Sequence, residues 1–217
     1  MRTNRSLWLS RLAGVWGLGA GVIASTAIVS ALAPSTHAAP EPEPIPRRWQ
    51  LTLEPGDLRV TTIETAGVPR AYFFLTYKVT NSTGEDRFFA PWFELATDQG
   101  TVIRSGRGVP PEVTERIRES FRNPLLLDEV SVQGLLLQGD ENAREGIVVW
   151  PADDLAADEV SVFAIGFSGE TKAAVRPDNG ETVILRKTLM LTHDTPGDID
   201  PSSGRPLTRT QTRWILR

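Results

Sequence analysis

The sequence contains no cysteine in 217 residues. That excludes disulfides, thiolate metal ligands and a lipid-modified N-terminal cysteine. Histidine is nearly as scarce, with only His37 and His193 present. A Ser-His-Asp set beyond the N-terminal segment would depend on His193 as its base, and histidine-cluster metal sites are excluded. No Gly-x-Ser-x-Gly, His-Glu-x-x-His or phosphate-binding loop occurs. Charge of one sign is also missing at both ends. Residues 1–38 hold no acid, and none follows Asp200.

The acid-free start carries Arg2, Arg5 and Arg11, then an uncharged stretch of 22 residues from Leu12 to Ala33. Ser35-Thr36-His37-Ala38 and a proline-rich run follow. A basic start, an apolar middle and small residues at a cut site are the parts of a secretory signal peptide, with cleavage expected after Ala38. Residues 12–33 are also long enough for a retained membrane anchor. Both readings put the remainder outside the cytoplasm, periplasmic or secreted, because the positive end stays inside. Residues 39–217 carry 20 basic and 27 acidic residues, a net charge of −7. An acidic surface repels nucleic acid and anionic lipid, so neither is a general partner. Contact with a membrane is expected only through the N-terminal segment, if that segment stays uncleaved.

Ala39-Pro-Glu-Pro-Glu-Pro-Ile-Pro46 alternates proline and so favours an extended, semi-rigid spacer. A single domain is expected over 47–217, held by its core alone. There the apolar residues recur every second position. Trp49, Leu51 and Leu53 read as one strand and Leu58–Ile63 as a second. In Ala71–Thr80, Ala71, Phe73, Leu75, Tyr77 and Val79 form one apolar face. Arg87–Thr97 reads as a strand interrupted by Pro91, which implies an edge or a bulge. Further strands are expected over 101–104, 130–137, 146–150, 160–167, 182–191 and 213–216. Val113, Ile117 and Phe121 recur every four residues between prolines, which predicts one short helix over 110–121, with Glu112 and Arg116 one turn apart on its surface. The count predicts a mostly β fold, two antiparallel sheets packed as a sandwich, with a closed barrel as the alternative.

Four constellations are candidates for chemistry. Asp194, Asp198 and Asp200 are hard oxygen ligands in a turn-rich loop, faintly like a calcium loop but lacking its glycine and distal glutamate. The acidic pairs Asp140-Glu141, Asp153-Asp154 and Asp158-Glu159 flank strands, where solvation alone accounts for them. Arg205, Arg209, Arg213 and Arg217 recur at steps of four and would share one face of a strand, as an anion-binding stripe or as the wet face of an edge strand. Trp49, Trp92, Trp150 and Trp214 are core residues if buried and a sugar-stacking platform if exposed. No cofactor is implied.

Phe74-Leu75-Thr76-Tyr77-Lys78-Val79-Thr80-Asn81-Ser82-Thr83-Gly84, then Phe93-Glu94-Leu95-Ala96-Thr97-Asp98-Gln99-Gly100, resembles small bacterial exported immunoglobulin-like (telokin-like) domains. Leu137-Gln138-Gly139-Asp140 and Gly146–Pro151 are similar to their loop-then-apolar-strand step. The likeness covers about residues 70–170 and excludes the helix and the arginine tail. It implies an Ig-like extracytoplasmic β-sandwich and supplies no catalytic residues. The expectation is an exported, non-enzymatic binding or structural module, with an unidentified protein or cell-surface polymer as partner. The alternative is a carboxylate-based hydrolase acting on an extracytoplasmic polymer.

Overall fold

Alternation of apolar and polar side chains dictates strands, and the computed structural model contains twelve of them and one α-helix among the described residues, 40–153, 155–195 and 199–217. The proposed leader and its cut site lie outside those residues. Among the described residues, no helix is long and apolar enough to cross a membrane.

The strands are β1 (Thr52–Thr65), β2 (Val68–Thr80), β3 (Arg87–Phe89), β4 (Trp92–Thr97), β5 (Val102–Arg104), β6 (Leu126–Leu127), β7 (Gly134–Leu136), β8 (Arg144–Pro151), β9 (Glu159–Ile165), β10 (Thr171–Val175), β11 (Thr182–Asp194) and β12 (Thr208–Leu216). One sheet has the order β1-β2-β8-β6. In the other, β5-β4-β9-β11 is completed by β12, while β10 extends the β9 side of β11. A two-stranded ribbon joins β3 and β7. Pairing is antiparallel throughout, except that β6 runs parallel to β8.

One core draws on both large sheets. Leu58, Val60, Phe73, Leu75, Val148 and Trp150 come from the first, and Phe93, Leu95, Val162, Ala164, Leu189 and Leu191 from the second. A second, smaller core lies on the outer face of β2 and β8. Helix α1 (Pro111–Ser120) lays Val113 and Ile117 there against Tyr72, Phe74, Leu126, Ile147 and Val149. Burial of each large aliphatic side chain stabilises by about 1.5–3 kcal/mol. Pro111 in the first turn of α1 lacks only an N–H that the helix leaves unpaired. Its surface pairing differs from the expected Glu112–Arg116 contact. Arg118 grips Glu115 in a bidentate pair, and Arg116 donates to the Glu64 carbonyl.

The prolines and glycines show where the strands bend. Pro55 does not end β1; a bulge between Pro55 and Leu58 absorbs it on an edge strand. Pro91 separates β3 from β4, which belong to different sheets, so the expected single strand 87–97 is two. Beside it, a Cβ on Gly166 would lie 3.1 Å from the Ala90 carbonyl oxygen. The expected strand 130–137 survives only as β7, because Asp128 nucleates a turn over 128–133.

Gly146 is another position where glycine is required. It faces Tyr77 across β2 and β8, and the phenol ring lies over it. A Cβ there would sit 2.7 Å from Tyr77 Cε1 and closer still to Cζ. Gly146→Ala must therefore push a buried ring off its position against Phe93 and Phe167. The expected loss is about 1–3 kcal/mol, read as a shift of the urea midpoint at unchanged slope. A neutral outcome would show that the Tyr77 ring repacks freely.

Candidate functional site

A cleft of about 650 Å³ between α1, the end of β5 and the 128–133 turn gathers several convergent acidic groups. Its polar lining includes Arg104, Ser105, Glu112, Glu115, Asp128 and Glu129. Each is placed by local structure. Ser105 follows β5 directly and is held by its N–H to the Phe93 carbonyl at 2.9 Å. Glu112 lies in the first turn of α1, where a carboxylate is favoured by the helix dipole. Glu115 is paired with Arg118, whose charge also reaches Asp128. Arg104 is the cation among the lining residues, which leaves Glu112 and Glu129 to give the cleft its acidic character.

The two neighbouring carboxyls are tuned in opposite directions. Burial pushes Asp128 up, but the N–H groups of Ser131 and Val130, at 2.7 and 2.9 Å, outweigh it and hold the group below the ordinary range. Asp128 is thereby committed to its turn. Glu129 is raised, chiefly by burial and also by the Asp128 charge, against a 2.8 Å bond donated by Ser105 Oγ and the Arg104 charge. Gly106 permits this: a Cβ there would lie 3.1 Å from Glu129 Oε2, at a φ of +72° that a larger residue resists. Glu129 thus presents a half-buried carboxyl to the cleft.

The residues singled out from sequence are elsewhere. His193 is fully buried in β11 and is not part of this cleft's lining. It faces Arg209 on β12 and Val160 on β9, near Asp57 of the β1 bulge. Neither imidazole nitrogen completes a hydrogen bond of ordinary geometry, although the Val160 and Leu191 carbonyls lie close enough to favour the charged ring. Burial, then the Arg209 charge, overrides them and lowers the group to about 4.

The four arginines do not share a face. A bulge at Thr192/His193 rotates Arg209 toward His193, where its guanidinium caps the Pro55 and Gly56 carbonyls. Arg217 pairs with Glu94 at 2.7 Å and stacks over Phe163, Arg213 lines a groove along β12, and Arg205 precedes the strand in solvent. The expected anion stripe is therefore not assembled.

Asp194 ends β11, Asp198 lies outside the described residues, and Asp200 accepts both Ser202 N–H and Ser202 Oγ. Among the described residues, no group of three or more acids and histidines is placed to hold a metal ion. Asp140 and Glu141 sit on one 3-10 turn, Asp153 in a loop and Glu159 at the start of β9, while Asp154 lies outside the described residues, so the described acids are dispersed. Trp150 is fully buried, while Trp49, Trp92 and Trp214 are half-buried at the core's margins or under arginine.

Sequence reasoning missed Asp128 and Glu129, the residues that do reach a cleft. Their only local signal was an Asp followed by Ser three residues later, a turn-forming pattern. The chain matches no protein-family model, no curated protein and no solved structure.

Proposed function

We propose that the protein is an exported binding module, an Ig-like β-sandwich whose acidic cleft takes a cationic group of an extracytoplasmic partner. The observation that carries the binding role is Glu129, a half-buried carboxyl turned into a concave site whose unpaired charge is predominantly negative. An ammonium or guanidinium is the chemistry that such a cleft recognises. Export is supported by Arg2, Arg5 and Arg11 before the uncharged run 12–33. The sandwich reading is supported by a core shared between the two large sheets.

A lysine trimer is the simplest probe. The expected result is saturable binding that weakens as salt is raised and falls at least tenfold in a Glu112→Gln/Glu129→Gln chain. Because Glu129 is raised, binding should decline on acidification before ordinary carboxylates titrate. Equal binding by the doubly substituted chain would end this reading.

A raised carboxyl is also what a glycosidase needs as proton donor, so hydrolysis of a neutral polysaccharide is the second reading. Asp128 is engaged by two N–H groups, which leaves Glu112 as the second carboxylate. Reducing ends released by the unsubstituted chain, and not by Glu129→Gln, would favour hydrolysis.

A further inference from the structure

The proline-alternating segment, extended as its composition implies, lies against the folded domain. Residues 40–46 lie along a groove whose other wall is β12, with Arg213, Trp214, Ile215 and Leu216 as its main lining and Lys187 at its base. Pro40 and Pro42 are half-buried, Glu41 is exposed, and the exposed Glu43 carboxylate pairs with Arg47 at 2.7 Å.

A buried ion pair reads the backbone of one strap residue. Lys187 Nζ lies 2.8 Å from Glu170 Oε2, and the lysine side chain is only 3% exposed. The other carboxylate oxygen, Glu170 Oε1, accepts the Glu43 N–H at 2.8 Å. Lys187 Nζ also reaches the Glu43 carbonyl at 3.5 Å and lies 5.7 Å from the centre of the Trp214 ring. Both polar backbone groups of Glu43 are therefore met by an ion pair that is costly to desolvate. Burial raises Glu170, but the bonds from Lys187 and Glu43 outweigh it and keep the carboxylate ionised below the ordinary range.

We propose that the β12 groove is a recognition site for an extended acidic peptide that alternates proline with glutamate, occupied in the resting chain by its own residues 40–43. Three features support the site. An aromatic ring beside prolines is the recurring floor of grooves that bind extended proline-rich peptides. Arg213 lines the groove alongside Glu41 and Glu43, so its wall carries a cation for an acidic peptide. The groove encloses about 890 Å³ and the strap lines it without filling it, so room for peptide side chains remains. This site is separate from the Glu129 cleft and does not depend on its function.

The test uses the full chain and a fluorescent peptide spanning residues 39–48. Glu43→Pro deletes the N–H that Glu170 accepts while keeping the segment extended, and it changes an exposed position, so the fold is not at stake. A tethered segment competes at an effective concentration of about a millimolar. The unsubstituted chain should therefore bind the peptide weakly, and the Glu43→Pro chain at least tenfold more tightly. Glu43→Gln, which keeps the N–H, should behave like the unsubstituted chain. The labelled peptide carrying the same Glu43→Pro change should lose binding to every chain. Equal peptide affinity for the unsubstituted and Glu43→Pro chains, or full binding by the proline-substituted peptide, overturns the proposal.

Discussion

Acidification from pH 6.5 to about pH 4 should cost the fold about 3 kcal/mol through His193 alone. The imidazole is buried without exposed surface and faces the Arg209 guanidinium, whose effect outweighs the opposing charge of Asp57. Its folded value is depressed below the unfolded one, so in that window the unfolded chain binds the extra proton. Stability then rises with pH and is lost as pH falls. The neutral ring, by contrast, is tolerated at pH 7. Urea midpoints measured at pH 7 and pH 4.5 should differ much less in a His193→Leu chain than in the unsubstituted one. Identical acid sensitivity in the two would show that His193 is protonated in place. Glu170 adds a separate loss at lower pH, because its folded value lies below the ordinary carboxylate range.

Replacing Asn81 by alanine should remove about 3–4 kcal/mol. Asn81 is fully buried at the end of β2 and organises the loop that crosses to β7. Its Nδ2 donates to the Glu85 and Leu136 carbonyls, both at 2.9 Å. Its Oδ1 accepts the Thr83 N–H at 3.1 Å and Thr83 Oγ1 at 2.8 Å. Alanine leaves the buried Leu136 carbonyl without this partner, and such a group costs about 1–3 kcal/mol by itself. Asn81→Asp keeps the acceptor but deletes both donors and buries a charge, so it should be no milder. A thermal or urea shift corresponding to less than about 1 kcal/mol for Asn81→Ala would contradict this account.

The alternation in Ala71–Thr80, Gly146–Trp150, Val160–Phe167 and Thr182–Leu191 is enough to identify β2, β8, β9 and β11. Each strand's inward face is written in its own residues. The exception within β2 is instructive. Tyr72 and Phe74 point away from the main core and still lie buried, because α1 covers that face. The four-residue spacing of Val113 and Ile117 predicts the helix but not the surface it covers. The candidate site was less legible. Ser105 and Glu129 lie 24 positions apart and meet only because the β5–α1 connection and the 128–133 turn are folded against β8. The step-of-four arginine row was legible as spacing, yet one bulge in β11–β12 sends Arg209 inward.

Local chemistry determined by itself that this chain is rich in strands, has one short helix between prolines and does without cysteine. Side-chain periodicity and the φ limits of proline act over a few residues and need no partner. Tertiary structure alone decided that Pro91 marks a change of sheet, that Glu129 enters a cleft with a raised carboxyl, and that residues 40–43 settle on Lys187 and Glu170. Those outcomes depend on desolvation and hydrogen-bond geometry between segments distant in sequence, which no short window encodes.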